Sequence, residues 1–93
     1  MPFVLQLPRT LRKAGWKIKI HDAERLEPPH VTIHCKMRTW RLSLRDGRFL
    51  DRGDNWNQIS VGVRRAIEQN WQALIGEWDA IHPDNPVSGE DDE

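Results

Sequence analysis

Three stretches of the chain alternate strictly between apolar and polar residues. Trp16, Ile18 and Ile20 alternate with Lys17, Lys19 and His21; Val31, Ile33 and Cys35 alternate with His30, Thr32, His34 and Lys36; Trp40, Leu42 and Leu44 alternate with Arg41, Ser43 and Arg45. A period of two sends successive side chains to opposite faces, so each stretch predicts a strand with one buried face. Met37-Arg38 is the short connection between the second and third. Asp46-Gly47 after the third tolerates the two positive φ angles of a type I′ hairpin turn, and Arg48-Phe49-Leu50 then begins a fourth strand. Ahead of them, Phe3, Val4, Leu5 and Leu7 between Pro2 and Pro8 suit an edge strand or a packed arm, and Arg9 to Ala14 suits one helical turn capped by Thr10 and stopped by Gly15.

After a polar loop at 51–57 the period changes. Ile59, Val63, Ile67, Trp71, Leu74, Trp78 and Ile81 recur three or four residues apart, the stripe of one amphipathic helix of about five to six turns whose start lies within 51–60 and whose end is His82-Pro83. A sheet with one apolar face and a long amphipathic helix satisfy each other's need for burial. The fold class predicted is therefore α+β: a small two-layer domain over residues 1–82, with an antiparallel meander of three to four strands packed on one long C-terminal helix. Residues 83–93, with four acids in the last four positions, predict an acidic disordered tail. The expected core is Trp16, Ile18, Ile20, Val31, Ile33, Trp40, Leu42, Leu44, Ile67, Trp71, Leu74 and Trp78. The outer sheet face then displays Lys17, Lys19, His21, His30, Thr32, His34, Lys36, Arg41, Ser43 and Arg45.

A chain of 93 residues leaves room for a single core. No apolar run reaches the roughly 18 residues of a membrane span, and the amino terminus lacks the charged-then-apolar pattern of a signal peptide, so a cytoplasmic location is expected. Cys35 is the one cysteine, so no intramolecular disulfide can form. The net charge of zero hides a division: residues 1–48 hold 11 Lys or Arg against 4 Asp or Glu, and residues 49–93 hold 3 against 10. Such halves either attract each other within the fold or present a basic surface to an anionic partner.

The basic outer face carries the candidate chemistry. As a binding surface, Lys17, Lys19, Lys36, Arg41 and Arg45 would contact a phosphate backbone of RNA or DNA, or the acidic surface of a partner protein, which requires placed cations and nothing more. Trp56, alone in the polar loop, is either a partner anchor or a lid over the end of the core. As an enzyme, the alternative is a metal-independent ribonuclease with His30 and His34 as acid and base, the cations stabilising the transition state. No metal is expected, because His21, His30 and His34 lie beside Lys19 and Lys36 while Cys35 points to the opposite face, and no cofactor is expected either.

The segments Gly15-Trp16-Lys17-Ile18 and Glu27-Pro28-Pro29-His30-Val31, the Asp46-Gly47 hairpin and the terminal helix together resemble a bacterial family of domains of unknown function. Its members are short proteins with a Pro-Pro-His-x-His segment on a small sheet followed by a helix, often encoded in toxin–antitoxin-like gene pairs. The resemblance covers roughly residues 14–81. Thr32 stands where the second motif histidine would be, and His34 is the nearest substitute on the same strand face. The resemblance implies a bacterial protein of α+β fold with a cognate small protein as partner.

Overall fold

The computed structural model describes residues 3–21 and 27–87. Its sheet has four antiparallel strands in the order β1-β2-β3-β4: β1 (Phe3–Val4), β2 (Trp16–Ile20), β3 (His30–Cys35) and β4 (Arg38–Ser43). The register sets Ile18 opposite Ile33 and Ile33 opposite Trp40, so the apolar positions of the three alternating segments share one face. Helix α1 (Arg9–Lys13) joins β1 to β2. Thr10 does not cap it: the N-cap is Pro8, two residues earlier, whose carbonyl accepts from the amides of Leu11 and Arg12, each at 3.1 Å. Gly15 ends this turn at φ +101°, a conformation that a side chain resists.

The fourth strand is not where the sequence pattern puts it. Arg48-Phe49-Leu50 makes a single bridge, Phe49 with Leu42, whereas the N-terminal segment supplies β1 by pairing Phe3 with Ile20 and Val4 with Lys19. The Asp46-Gly47 turn also differs from a type I′ pair, because of the two only Gly47 has positive φ. The loop takes in Leu44 to Gly47, closed by bonds from the Gly47 amide to the Ser43 carbonyl (3.1 Å) and from the Ser43 amide to the Arg48 carbonyl (2.8 Å). The Leu44 amide continues the β3–β4 register by one pair with its bond to the Pro29 carbonyl, and the Ser43 hydroxyl and Asp46 carboxylate take the amides of Arg45 and Arg48. Between β3 and β4 the loop is Lys36-Met37, one residue earlier than expected, with Lys36 at φ +56°.

The long C-terminal helix is two helices, α2 (Val61–Gln69) and α3 (Trp71–Ile81), meeting at Asn70 with φ −114° and ψ 19°. The Asn70 side-chain amide donates to the Ala66 carbonyl at 2.8 Å, the local competition for backbone partners that makes asparagine a poor interior helix residue. Before α2, Asn55 and Gln58 form a reciprocal cap around a 3₁₀ turn at Trp56–Gln58, and Gln58 also accepts from the Trp40 indole at 2.9 Å. The buried residues of strands and helices form one hydrophobic cluster, including Ile18, Ile20, Val31, Ile33, Trp40 and Leu42 from the sheet and Val63, Ile67, Leu74 and Trp78 from the helices. Trp16, Trp71 and Cys35, expected inside, are only partly buried at its margin.

Part of the segment expected as tail is packed. Trp78, fully buried, donates its indole N–H to the Asn85 carbonyl at 2.6 Å; Val87 is buried, and its amide bonds Asp79 at 2.8 Å. Residues 88–93, like residues 22–26, lie outside the described residues. No described helix is long and apolar enough to cross a membrane.

Candidate anion-binding site

Cross-strand pairing arranges the outer face of the sheet in rows. Lys17 and Thr39 flank His34, Lys19 and Arg41 flank Thr32, and Ser43 stands opposite His30. The alternation thus puts the expected residues on one face, but the two ends of that face have different fates.

At the end nearest His30 the residues are closed in. His30, expected at the surface, is 1% exposed, and Thr32 and Ser43 are buried too. The Pro28 carbonyl can only accept, so His30 donates from Nδ1 at 2.9 Å, and its ring lies 5.6 Å from that of Trp78. Its other nitrogen lies 3.9 Å from Glu27 Oε1. Arg41 covers this group with a full guanidinium fork: Nε and Nη2 hold the two oxygens of Asp51 at 3.0 and 2.6 Å, and Nη1 holds Glu27 at 2.6 Å. The hydrogen bonds from Arg41, with its positive charge, hold Asp51 below the ordinary carboxylate range, while the two carboxylates fix Arg41 more firmly in its charged form. Arg45 is engaged as well, donating to the carbonyls of Val87 at 2.9 Å and Pro86 at 3.4 Å. Of the five expected cations, these two serve the fold.

At the other end, Lys17, Lys19 and Lys36 surround a hollow of about 280 Å³, completed by Gly15 and His34. Among the described residues none of the three lysines forms an ion pair. The glycine at 15 permits this arrangement twice over: its φ of +101° turns the chain into β2, and a Cβ there would stand 3.2 Å from Lys36 Cγ. His34 lies with its ring 5.8 Å from that of His21, edge to face.

Trp56 stands elsewhere, edge-on to Phe49 with ring centres 5.0 Å apart and with the Arg64 guanidinium 4.8 Å above it. That position is a partly buried lid on the core rather than part of the basic face. No three His, Cys, Asp or Glu side chains among the described residues come together as a metal site needs.

A second hollow of about 330 Å³ opens beside the first, where β1 leaves β2, and is lined in part by Leu7, Arg12, Trp16, Lys17 and Lys19. Sequence reasoning passed over Arg12, whose signal was the basic run before Gly15, and took Trp16 wholly into the core. No family model, curated protein or solved structure matches the chain.

Proposed function

We propose that this protein is a small interaction module that binds an anionic partner through the basic sheet face, with Lys17, Lys19 and Lys36 as the contacting cations and His34 between them. The observation that carries this reading is the hollow itself: two lysines of β2 and one at the tip of the β3–β4 hairpin converge with no acid among its lining residues. Like charges side by side repel, and among the described residues two carboxylates neutralise Arg41 while none pairs with these three lysines. An anion supplied from outside relieves that repulsion. The acidic surface of a cognate small protein and a nucleic-acid backbone offer the same chemistry.

The enzyme reading, a ribonuclease using His30 and His34, needs both imidazoles at one phosphate. Four residues of extended strand separate their Cα atoms by about 13 Å. His30 is also enclosed by Trp78, Glu27 and the Pro28 carbonyl. The binding reading draws on residues that the geometry brings together; the enzyme reading does not.

The test is a titration of the purified protein with labelled RNA, duplex DNA and an acidic peptide at rising salt, with the RNA lanes also run on a gel for cleavage. Binding that weakens steeply between about 50 and 200 mM salt is expected for cation–phosphate contacts. Absence of binding to all three at about 50 mM would overturn the proposal.

A further inference from the structure

The two hollows share Lys17 and Lys19, so they meet along the edge of β2. Strand β1 makes its last bond to β2 at Leu5, whose amide donates to the Ile18 carbonyl at 2.9 Å, and the chain then turns away through Pro8 into α1. This divergence leaves a gap alongside Trp16 and Lys17. Because side chains alternate across a strand, the gap is bordered on one side by the outer-face lysines and on the other by Trp16. Trp16 is partly exposed there, stacked on Trp40 with ring centres 5.6 Å apart and planes 25° apart. Val4, 47% exposed and paired with Lys19, adds an aliphatic contact on the lysine side, and Leu7 closes the gap from within the core. Among the described residues every charged side chain lining the trough is a cation: Arg12, Lys17, Lys19 and Lys36.

We infer that this trough binds a single-stranded nucleic acid, its phosphates on Lys17, Lys19, Lys36 and Arg12 and one base against the Trp16 side of the gap. This deepens the anion-binding reading and rests on it. An acidic peptide satisfies the cations but makes no use of an aromatic and aliphatic wall beside them. A duplex satisfies the cations too, yet its bases are stacked on each other. A single strand supplies both a row of phosphates and free flat rings, the pairing of charge and stacking that sequence-tolerant single-strand binding uses. Lys17 and Lys19, two residues apart on one strand face, stand about 6.6 Å apart along β2, on the scale of one nucleotide of an extended strand.

The experiment compares three ligands of equal length on the intact protein at one salt concentration: a base-bearing single strand, the same strand with every base removed, and a duplex. The abasic strand keeps the phosphates and loses the rings. The expected result is that the base-bearing strand binds about tenfold more tightly than the abasic one, with the duplex closer to the abasic strand. In Trp16→Ala the preference for bases should fall to within about twofold while binding to the abasic strand persists, and Trp16→Phe should retain most of the preference. Equal affinity for the base-bearing and abasic strands in the intact protein would overturn this inference and leave the anion-binding reading standing. Absence of binding to all three would overturn this inference, and the anion-binding reading falls with it when the acidic peptide also fails to bind. The ligand comparison does not depend on the variants folding.

Discussion

The outer face of the sheet has two ends made from the same kinds of residue, and they behave differently. Around His30 the cation Arg41 is held by two carboxylates, the imidazole is enclosed, and the 84–87 segment is tied down through Asn85 and Arg45. Around His34 the cations Lys17, Lys19 and Lys36 border an open hollow. What separates the two ends is the placement of acids that are distant in sequence. Glu27 precedes β3 and Asp51 follows the β4 hairpin, and both fall within reach of Arg41 and not of the lysines. The residue type matters as well: a guanidinium fork can hold two carboxylates at once, and a lysine ammonium cannot match that geometry. One end is therefore fastened, and the other is left with charge to offer.

Breaking the closed end should cost most. Trp78→Ala removes a fully buried ring against which both His30 and His82 pack, and is expected to lower stability by about 3–5 kcal/mol in urea unfolding. Arg41→Ala leaves two half-exposed carboxylates that water can reach, so a smaller loss of about 1–2 kcal/mol is expected at neutral pH. The pH dependence sharpens this second case. Asp51 has its pKa lowered from the usual 3.8 in the folded state, so its contribution is present above 3.8 and is lost as pH falls below it through the folded value. The stability difference between the protein and Arg41→Ala should accordingly narrow from about pH 7 to about pH 3, and a difference that holds constant would remove the ion pair from the account.

At the open end the effects on stability shrink. Gly15→Ala forces a side chain to φ +101° and against Lys36, and a loss of about 1 kcal/mol is expected in thermal unfolding. Replacing Lys17, Lys19 and Lys36 together by Ala should change stability by no more than about 0.5 kcal/mol, since no described ion pair is lost. A large destabilisation by the triple change would show that these lysines hold the fold, as Arg41 does.

Strands β2, β3 and β4 were legible because one face of each meets the core and the period of two survives in all three. The helical stripe was legible too, but the break at Asn70 was not: Ile67, Trp71 and Leu74 keep their spacing across it, and only the asparagine side chain's bond to Ala66 marks the junction. For β1 the edge strand stood beside a packed arm as an alternative, because two residues carry no period. The turn after β4 differs because the Ser43 hydroxyl and Asp46 carboxylate bond the amides of Arg45 and Arg48 and leave positive φ to Gly47 alone. In the site, alternation identified Lys17, Lys19 and His34 correctly as neighbours on one face. It could not show that Arg41 is neutralised, since Asp51 is ten residues away and Glu27 fourteen.

The most direct test is the salt dependence of single-strand RNA binding by the protein and by the variant lacking the three lysines. If Lys17, Lys19 and Lys36 each neutralise a phosphate, the slope of log affinity against log salt should become shallower by about 2 in the variant. An unchanged slope would contradict the account and place the anion elsewhere on the molecule.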